Sequence, residues 1–444
     1  MGRLGCSGPR LGCFCGERRI PLAVGGWSER LRVMNSTTVS ARVAGGDRVR
    51  VRRLVAALAV TTTVGYGVLT YAFSVLLGPM SHDLGISTTT AVGASTTAVL
   101  VSGLMSIPVG RWLDARGGRG LMTSGSALAS VAVLGWSQVE NSVQLYGVFV
   151  AIGIASAMVL YPPAFAVVVA AAAPASRTNA ILSITLVGGL ASSIFLPLTG
   201  RLVHVYGWRT TLVVLAGVLA VTTIPLHVVA VRRIKPRATP RTESAGGRGA
   251  PARVLRDPGF WLLAWAFVVH SAALAVISVH LVLYLVSLGH PPARAAALAG
   301  LLGLLSVTGR LVTSLSARWL PMATITAAIL FVQGVAISLL PVVGRQVAGA
   351  VGCLVLFGLG FGVSSIATPA ILLDRYGATG FGTISGLLTT PTTIAKALGP
   401  LGGAGLANAF GYRPLILTVA GGCAVAAVAL ALTRRLTPRQ GPRV

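Results

Sequence analysis

Acidic residues are what this chain has least of. Only nine Asp and Glu stand against 36 Lys and Arg in 444 residues, a formal charge of +27. The nine are Glu17, Glu29, Asp47, Asp83, Asp114, Glu140, Glu243, Asp257 and Asp374, and none falls in the middle of a long apolar run. Charged residues of both signs make up 10% of the chain and aromatics 6%. Cysteine is sparse too: Cys6, Cys13 and Cys15 lie in the N-terminal arm, and Cys353 and Cys423 lie inside apolar runs, so neither a disulfide framework nor a metal site follows. No nucleophile–base constellation, metal-ligand spacing or phosphate-cradling loop is present, which argues against an enzyme, a cofactor or a bound metal. The excess of basic charge does not indicate nucleic acid, because phosphate-binding patches need an exposed soluble domain and none is visible.

What is abundant is apolar sequence, with 54% hydrophobic residues and a mean hydropathy of +0.82. Runs of spanning length fall at about 54–79, 88–110, 121–138, 144–172, 179–203 and 210–231, then at about 258–287, 294–317, 322–342, 346–373, 380–406 and 412–433. These predict an all-α integral membrane protein of twelve transmembrane helices in two six-helix bundles, 54–231 and 258–433. Residues 1–53 read as a disordered basic arm, 232–257 as a basic Pro- and Gly-containing linker, and 434–444 as a tail. Met34 is an alternative translation start to Met1. The basic residues concentrate in the arm, the linker, the tail and alternate turns, which by the positive-inside rule puts that side and both termini in the cytoplasm of a plasma-membrane protein.

The halves repeat. Leu196-Pro197-Leu198-Thr199-Gly200 followed by Tyr206-Gly207-Trp208-Arg209 is echoed by Gly399-Pro400-Leu401-Gly402-Gly403 followed by Phe410-Gly411-Tyr412-Arg413, with Gly207 and Gly411 204 positions apart. A duplicated six-helix unit places a binding site between the copies.

The densest charge between apolar runs in the first half is the stretch Gly110 to Arg119, expected as a short turn in water between helices 2 and 3. Its Gly110-x-x-x-Asp114-x-Arg116-Gly117-x-Arg119 pattern resembles the signature loop of the major facilitator superfamily, with Ala115 where a basic residue is usual. Gly110 permits close helix approach, and Asp114 suits a helix N-terminus or a cationic partner, a contact made in one state and broken in the other. The plainer alternative is a solvated turn that holds topology by its Arg residues. Within that superfamily the chain is most similar to the branch of monocarboxylate transporters and oxalate/formate antiporters. The strings carrying this are Gly65-Tyr66-Gly67 through Tyr71-Ala72-Phe73, Leu84-Gly85, His280-Leu281 and Gly309-Arg310. Ser306 stands where eukaryotic members carry an acid.

An ionisable group at mid-bilayer costs about 2.5–3.5 kcal/mol on insertion scales, so one that is retained faces a cavity or a partner. Arg310 in helix 8 and Lys396 in helix 11 are such groups, and no acid lies at their depth. The simplest partner is an anionic substrate, held by parallel bonds from Arg310 and by the point charge of Lys396. Arg310 bonding backbone carbonyls, or Lys396 reaching outward, is the structural alternative. His270 and His280 in helix 7 are candidate proton carriers as well as packing histidines, and Tyr66, Tyr71 and Tyr161 are candidate hydroxyl donors to the cargo. Pro162-Pro163 and Thr389-Thr390-Pro391-Thr392-Thr393 are expected to mark bends near a cavity. The function expected is secondary transport of a small organic anion, a mono- or dicarboxylate, by proton symport or anion exchange in a monomer. The alternatives are efflux of amphiphilic or neutral compounds, or a non-transporting sensor.

Overall fold

A computed structural model describes residues 49–231 and 250–433. The expected arm up to residue 48, most of the linker and the tail lie outside these residues. Val49 and Arg50 belong to an N-terminal unit otherwise outside the described residues, and Val51 to Thr433 belong to one compact unit.

Every element among the described residues is helical. In hydrocarbon there is no water to satisfy the backbone, so a spanning chain must close its hydrogen bonds within each helix. Helix α1 is Val49–Asp83, beginning five residues before the expected boundary. It is followed by α2 Thr88–Arg116, α3 Gly118–Trp136 and α4 Ser142–Ala171. Helix α5 comprises Pro174–Gly188 and residues 191–206, and α6 is residues 208–230. After a short helix, Ala250–Leu255, come α7 Pro258–Ser287, α8 Pro292–Ser316 and α9 Met322–Val343. Helix α10 is split into Val347–Gly358 and Ser364–Tyr376, and α11 Phe381–Phe410 and α12 Tyr412–Thr433 complete the unit. Eight helical stretches are long and apolar enough to cross a membrane, and one of them, Pro174–Ala230, contains both α5 and α6. The interrupted α10, the Gly- and Thr-rich α11 and the 19-residue α3 supply the remaining passes.

The polar stretch at Gly110 differs from the expected ten-residue turn. Helix α2 runs on to Arg116, and the joint to α3 is the single residue Gly117, at φ 77°. Only a residue without Cβ takes that conformation cheaply. The repeat predicted from Gly207 and Gly411 has a physical counterpart, because both joints use the same backbone, φ 76° and ψ 169° at one and φ 87° and ψ 173° at the other. Leu160 leaves helical geometry ahead of Pro162-Pro163 and divides α4 as expected, whereas α11 runs unbroken through Pro391.

Alternation of the helices puts the ends of α2, α4, α6, α8, α10 and α12 on one face, here the Asp114 face. The buried apolar residues sort by depth. Near the Asp114 face one cluster draws on both halves, from Leu54, Leu58 and Ile181 to Phe260, Phe381 and Ile384. Toward the other face the core divides into one cluster confined to residues 64–219 and another confined to 273–423. The halves are therefore fused at the Asp114 face and part toward the opposite one.

Candidate functional site

Two seams join the halves. Along the first, α2 lies against α11 with almost no side chain between. A Cβ on Gly110 would overlap the Gly382 carbonyl, and one on Gly386 would overlap the Ser106 carbonyl. Higher up, the Thr390 hydroxyl donates to the Gly103 carbonyl at 2.7 Å. Lipid tails are as apolar as leucine, so helices in a membrane gain by close approach and interhelical hydrogen bonds rather than by burying area. Asp114 completes this seam. Its carboxylate accepts the backbone N–H of Gly382 at 2.9 Å, the N–H of Thr383 at 2.7 Å and the Thr383 hydroxyl at 2.6 Å. An anion is thus set on the first turn of α11, where unpaired N–H groups and the helix dipole favour negative charge. Gly117 shapes the joint behind it. Arg116 stacks on the Trp112 ring, 4.5 Å from its centroid, and Arg119 is exposed.

The second seam lies between α5 and α8, and Arg310 crosses it. Its Nη1 donates to the Thr185 carbonyl of α5 at 3.4 Å. The Tyr161 hydroxyl donates to the same carbonyl, also at 3.4 Å. Three glycines make room: a Cβ would meet the Arg310 guanidinium at Gly189, its stem at Gly362, and the Tyr161 hydroxyl at Gly188. Gly309 brings α8 onto the Leu359 carbonyl in the break of α10. The Nε of Arg310 is buried without a hydrogen-bond partner. Tyr66 packs on Tyr161 with ring centroids 4.7 Å apart, and Tyr161 stacks on Phe165 at 5.2 Å. Tyr71, at the end of a π-helical turn in α1, lies within electrostatic range of both tyrosines, as does Arg310 of Tyr66 and Tyr161. The structure therefore brings Arg310, Tyr66 and Tyr161 together at one level, with Tyr71 near them. Beyond it, among the described residues, no hydrogen bond or shared apolar cluster joins the halves.

Lys396 stands apart from that group. A helix turns about 100° per residue. Thr393 packs on α2 through Gly103, and Gly399 packs on α7 through Ala272, three residues to either side of Lys396. Lys396 thus projects between the α2-facing and α7-facing sides, into the space the halves enclose, while Leu398 and Leu401 look outward. Its residue is exposed, and no hydrogen bond or ion pair holds it among the described residues. It lies six residues beyond Thr390, about 9 Å above the closed level.

The two histidines separate. His280 is buried, and its Nε2 lies 3.0 Å from the Pro400 carbonyl, so it carries the proton and ties α7 to α11 beside Gly403. His270 is 2% exposed, with Nδ1 unpartnered. A third histidine, not singled out from sequence, is better connected: His227 in α6 links Ser126 of α3, at 2.7 Å from Nδ1, to Thr61 of α1, at 3.1 Å from Nε2. Sequence reasoning also passed over Gly382, Thr383, Gly386, Thr185, Gly188 and Gly189. Only Gly382-x-x-x-Gly386 carries a recognisable signal, the small-residue spacing of close helix pairs. At the Asp114 face Asp257 accepts from Arg375 at 3.0 Å and from the Tyr376 hydroxyl at 2.7 Å, joining the start of α7 to the end of α10. Burial opposes the charge on Asp257, but these bonds and one from the Gly259 N–H outweigh it and hold its carboxyl below the usual range.

Comparison by sequence with curated proteins finds no match. Solved structures share the fold. The human organic anion transporter MFSD10 (TETRAN) superposes with a TM-score of 0.68 at 15% identity, over 86% of this chain and 99% of that one. The fucose:proton symporter FucP of E. coli gives 0.68 at 14%, covering 85% and 98%. A bacterial homologue of the iron transporter ferroportin, in an outward-facing state, gives 0.69 at 16%, covering 86% and 99%. The family model described as Major Facilitator Superfamily matches residues 58–400. With the duplicated helices, the Asp114 contact and the central cleft, that match establishes that the chain belongs to the Major Facilitator Superfamily.

Proposed function

We propose that this transporter carries a small organic anion, a mono- or dicarboxylate, through the space between its halves. The observation that carries the reading is Arg310, a cation inside the membrane region whose only hydrogen-bond partner among the described residues is a neutral carbonyl. A guanidinium there has strong donors to offer and, among the described residues, no protein carboxylate to receive them, and a substrate carboxylate supplies the match. Lys396, projecting into the same space from α11, provides a second attraction for a dicarboxylate or for the far end of a polar monocarboxylate. Tyr66, Tyr71 and Tyr161 line the floor as hydroxyl donors. The resemblance to the monocarboxylate and oxalate/formate branch agrees with this, as does the structural likeness to an organic anion transporter. A metal cargo is disfavoured because, among the described residues, no group of three or more His, Cys, Asp or Glu could hold an ion.

With the Asp114 face in the cytoplasm of a plasma membrane, as the basic residues suggest, the conformation described opens outward. Neither His270 nor His280 is bonded to the Arg310 group, which favours anion exchange, or symport in which the carboxylate itself carries the proton. One chain supplies both halves of the path, consistent with a monomer. The test is uptake of a labelled carboxylate panel into proteoliposomes, with and without a pH gradient. We expect Arg310→Ala to abolish uptake and Lys396→Ala to lower it at least several-fold. Full anion transport by both variants would remove the reading, and transport of neutral or amphiphilic compounds instead would replace it with efflux.

A further inference from the structure

Arg310 does more at the α5–α8 seam than wait for cargo. The Thr185 oxygen it touches already accepts the helical bond from the Gly189 N–H at 3.0 Å, and it also receives the Tyr161 hydroxyl. Three donors share the two lone pairs of one neutral acceptor, and the two side-chain bonds sit at the long edge of hydrogen-bond range. The platform is built for this contact, because Gly188 and Gly189 are the positions where a side chain would displace Tyr161 and Arg310. We propose that the Thr185 carbonyl is a resting acceptor for Arg310 and Tyr161, and that an arriving carboxylate draws both donors away and so releases α8 from α5.

The inference rests on the reading of Arg310 as an anion-binding residue and adds how binding is coupled to movement. A carboxylate receives shorter bonds than a carbonyl, roughly twice as strong. A ligand shifts a conformational equilibrium only through its differential affinity for the two states. That difference arises here because the donors serving the ligand are the ones that hold the seam. The Asp114 seam has no such competitor, since its three α11 donors already serve a carboxylate and it lies at the face rather than at the floor of the cleft.

The experiment uses the full chain in lipid nanodiscs, with spin labels on Cys introduced at Thr178 of α5 and Ser316 of α8, and succinate and lactate as probes. In the wild-type background a bound probe is expected to increase the population with a long α5–α8 distance. Gly189→Ala, whose Cβ would take the place of the Arg310 Nη1, is expected to raise that population without any probe by about threefold, the change one interhelical hydrogen bond produces. It is also expected to bind the probe at least as tightly as wild type. Arg310→Lys, which keeps the charge but is too short to reach Thr185, should shift the resting distance in the same direction. Gly200→Ala, on the same helix with open space around it, should behave as wild type. If Gly189→Ala and Arg310→Lys both keep the short distance until probe is added, the release mechanism is wrong although the anion site stands. If wild type binds neither probe, or Arg310→Ala binds them as wild type does, the anion reading itself fails and the mechanism with it.

Discussion

The two seams occupy corresponding places in the repeat, yet they hold by different means. The α2–α11 seam is backbone against backbone, with glycines at Gly110, Gly382 and Gly386 and a carboxylate on a helix N-terminus. The α5–α8 seam is a long side chain reaching across a gap to one carbonyl. In the second half, the end of α8 from Thr313 to its C-cap Ala317 carries no acid, whereas the end of α2 carries Asp114. Duplication supplied two equivalent joints, and they have since diverged. One holds a carboxylate on a helix N-terminus at the membrane face, and the other holds a half-buried cation on a single carbonyl at the floor of the cleft.

That contrast can be broken most severely at the first seam. Gly110→Val puts a branched side chain against the Gly382 carbonyl, and overpacking of this kind costs about 1–3 kcal/mol. We expect the closed population at the Asp114 face to fall roughly five- to a hundred-fold, read by the accessibility of a Cys at Thr383. Asp114→Asn keeps the shape but loses the charge. Hydrogen bonds to charged groups contribute about 1.5–3 kcal/mol, so a shift of about tenfold toward the opposite state is expected, with the order of preferred substrates unchanged. A changed substrate order would show that the two seams do not divide the work in this way. Ala317→Asp tests the comparison from the other side. If the missing acid is what leaves the second seam free, restoring it should slow turnover by a few-fold and favour the closed face, measured as initial uptake rate.

The smallest effect should come from acid. Asp257 titrates below the usual range in the folded protein, so its ion pair with Arg375 adds stability above the ordinary carboxylate pKa and loses it as pH falls through the folded value. Thermal unfolding should be flat between pH 7 and pH 5 and decline below about pH 4, with the decline reduced in Asp257→Asn. Equal decline in the variant would assign the acid sensitivity to other carboxylates.

The helices were legible in sequence because spanning length and polar interruptions are one-dimensional signals. The joint at Gly411 was legible because it repeats Gly207. The isolation of Arg310 from any acid could be read by placing nine residues. What could not be read was partnership. Thr185 enters through its backbone oxygen, which every residue has, and Gly189 enters through the side chain it lacks. His280 looked like a proton carrier by residue type, and its bond to Pro400 depends on a neighbour 120 positions away. The end of α2 was misread for a related reason. Charge at residues 110–116 marks water, but water does not end a helix, and continuing it is what aims Asp114 at α11.

The single-glycine joints at Gly117, Gly207 and Gly411 limit how this protein can move. With one residue between them, α2 and α3 cannot slide or tilt separately by more than that residue permits, and the same holds for α5 with α6 and α11 with α12. Three of the four helices that form the seams are therefore tied each to the helix that follows it. The exception is α8, separated from α9 by residues 317–321 and so given slack. Any rearrangement of the closed face has three stiff couplings and one loose one, and the loose helix is the one that carries Arg310.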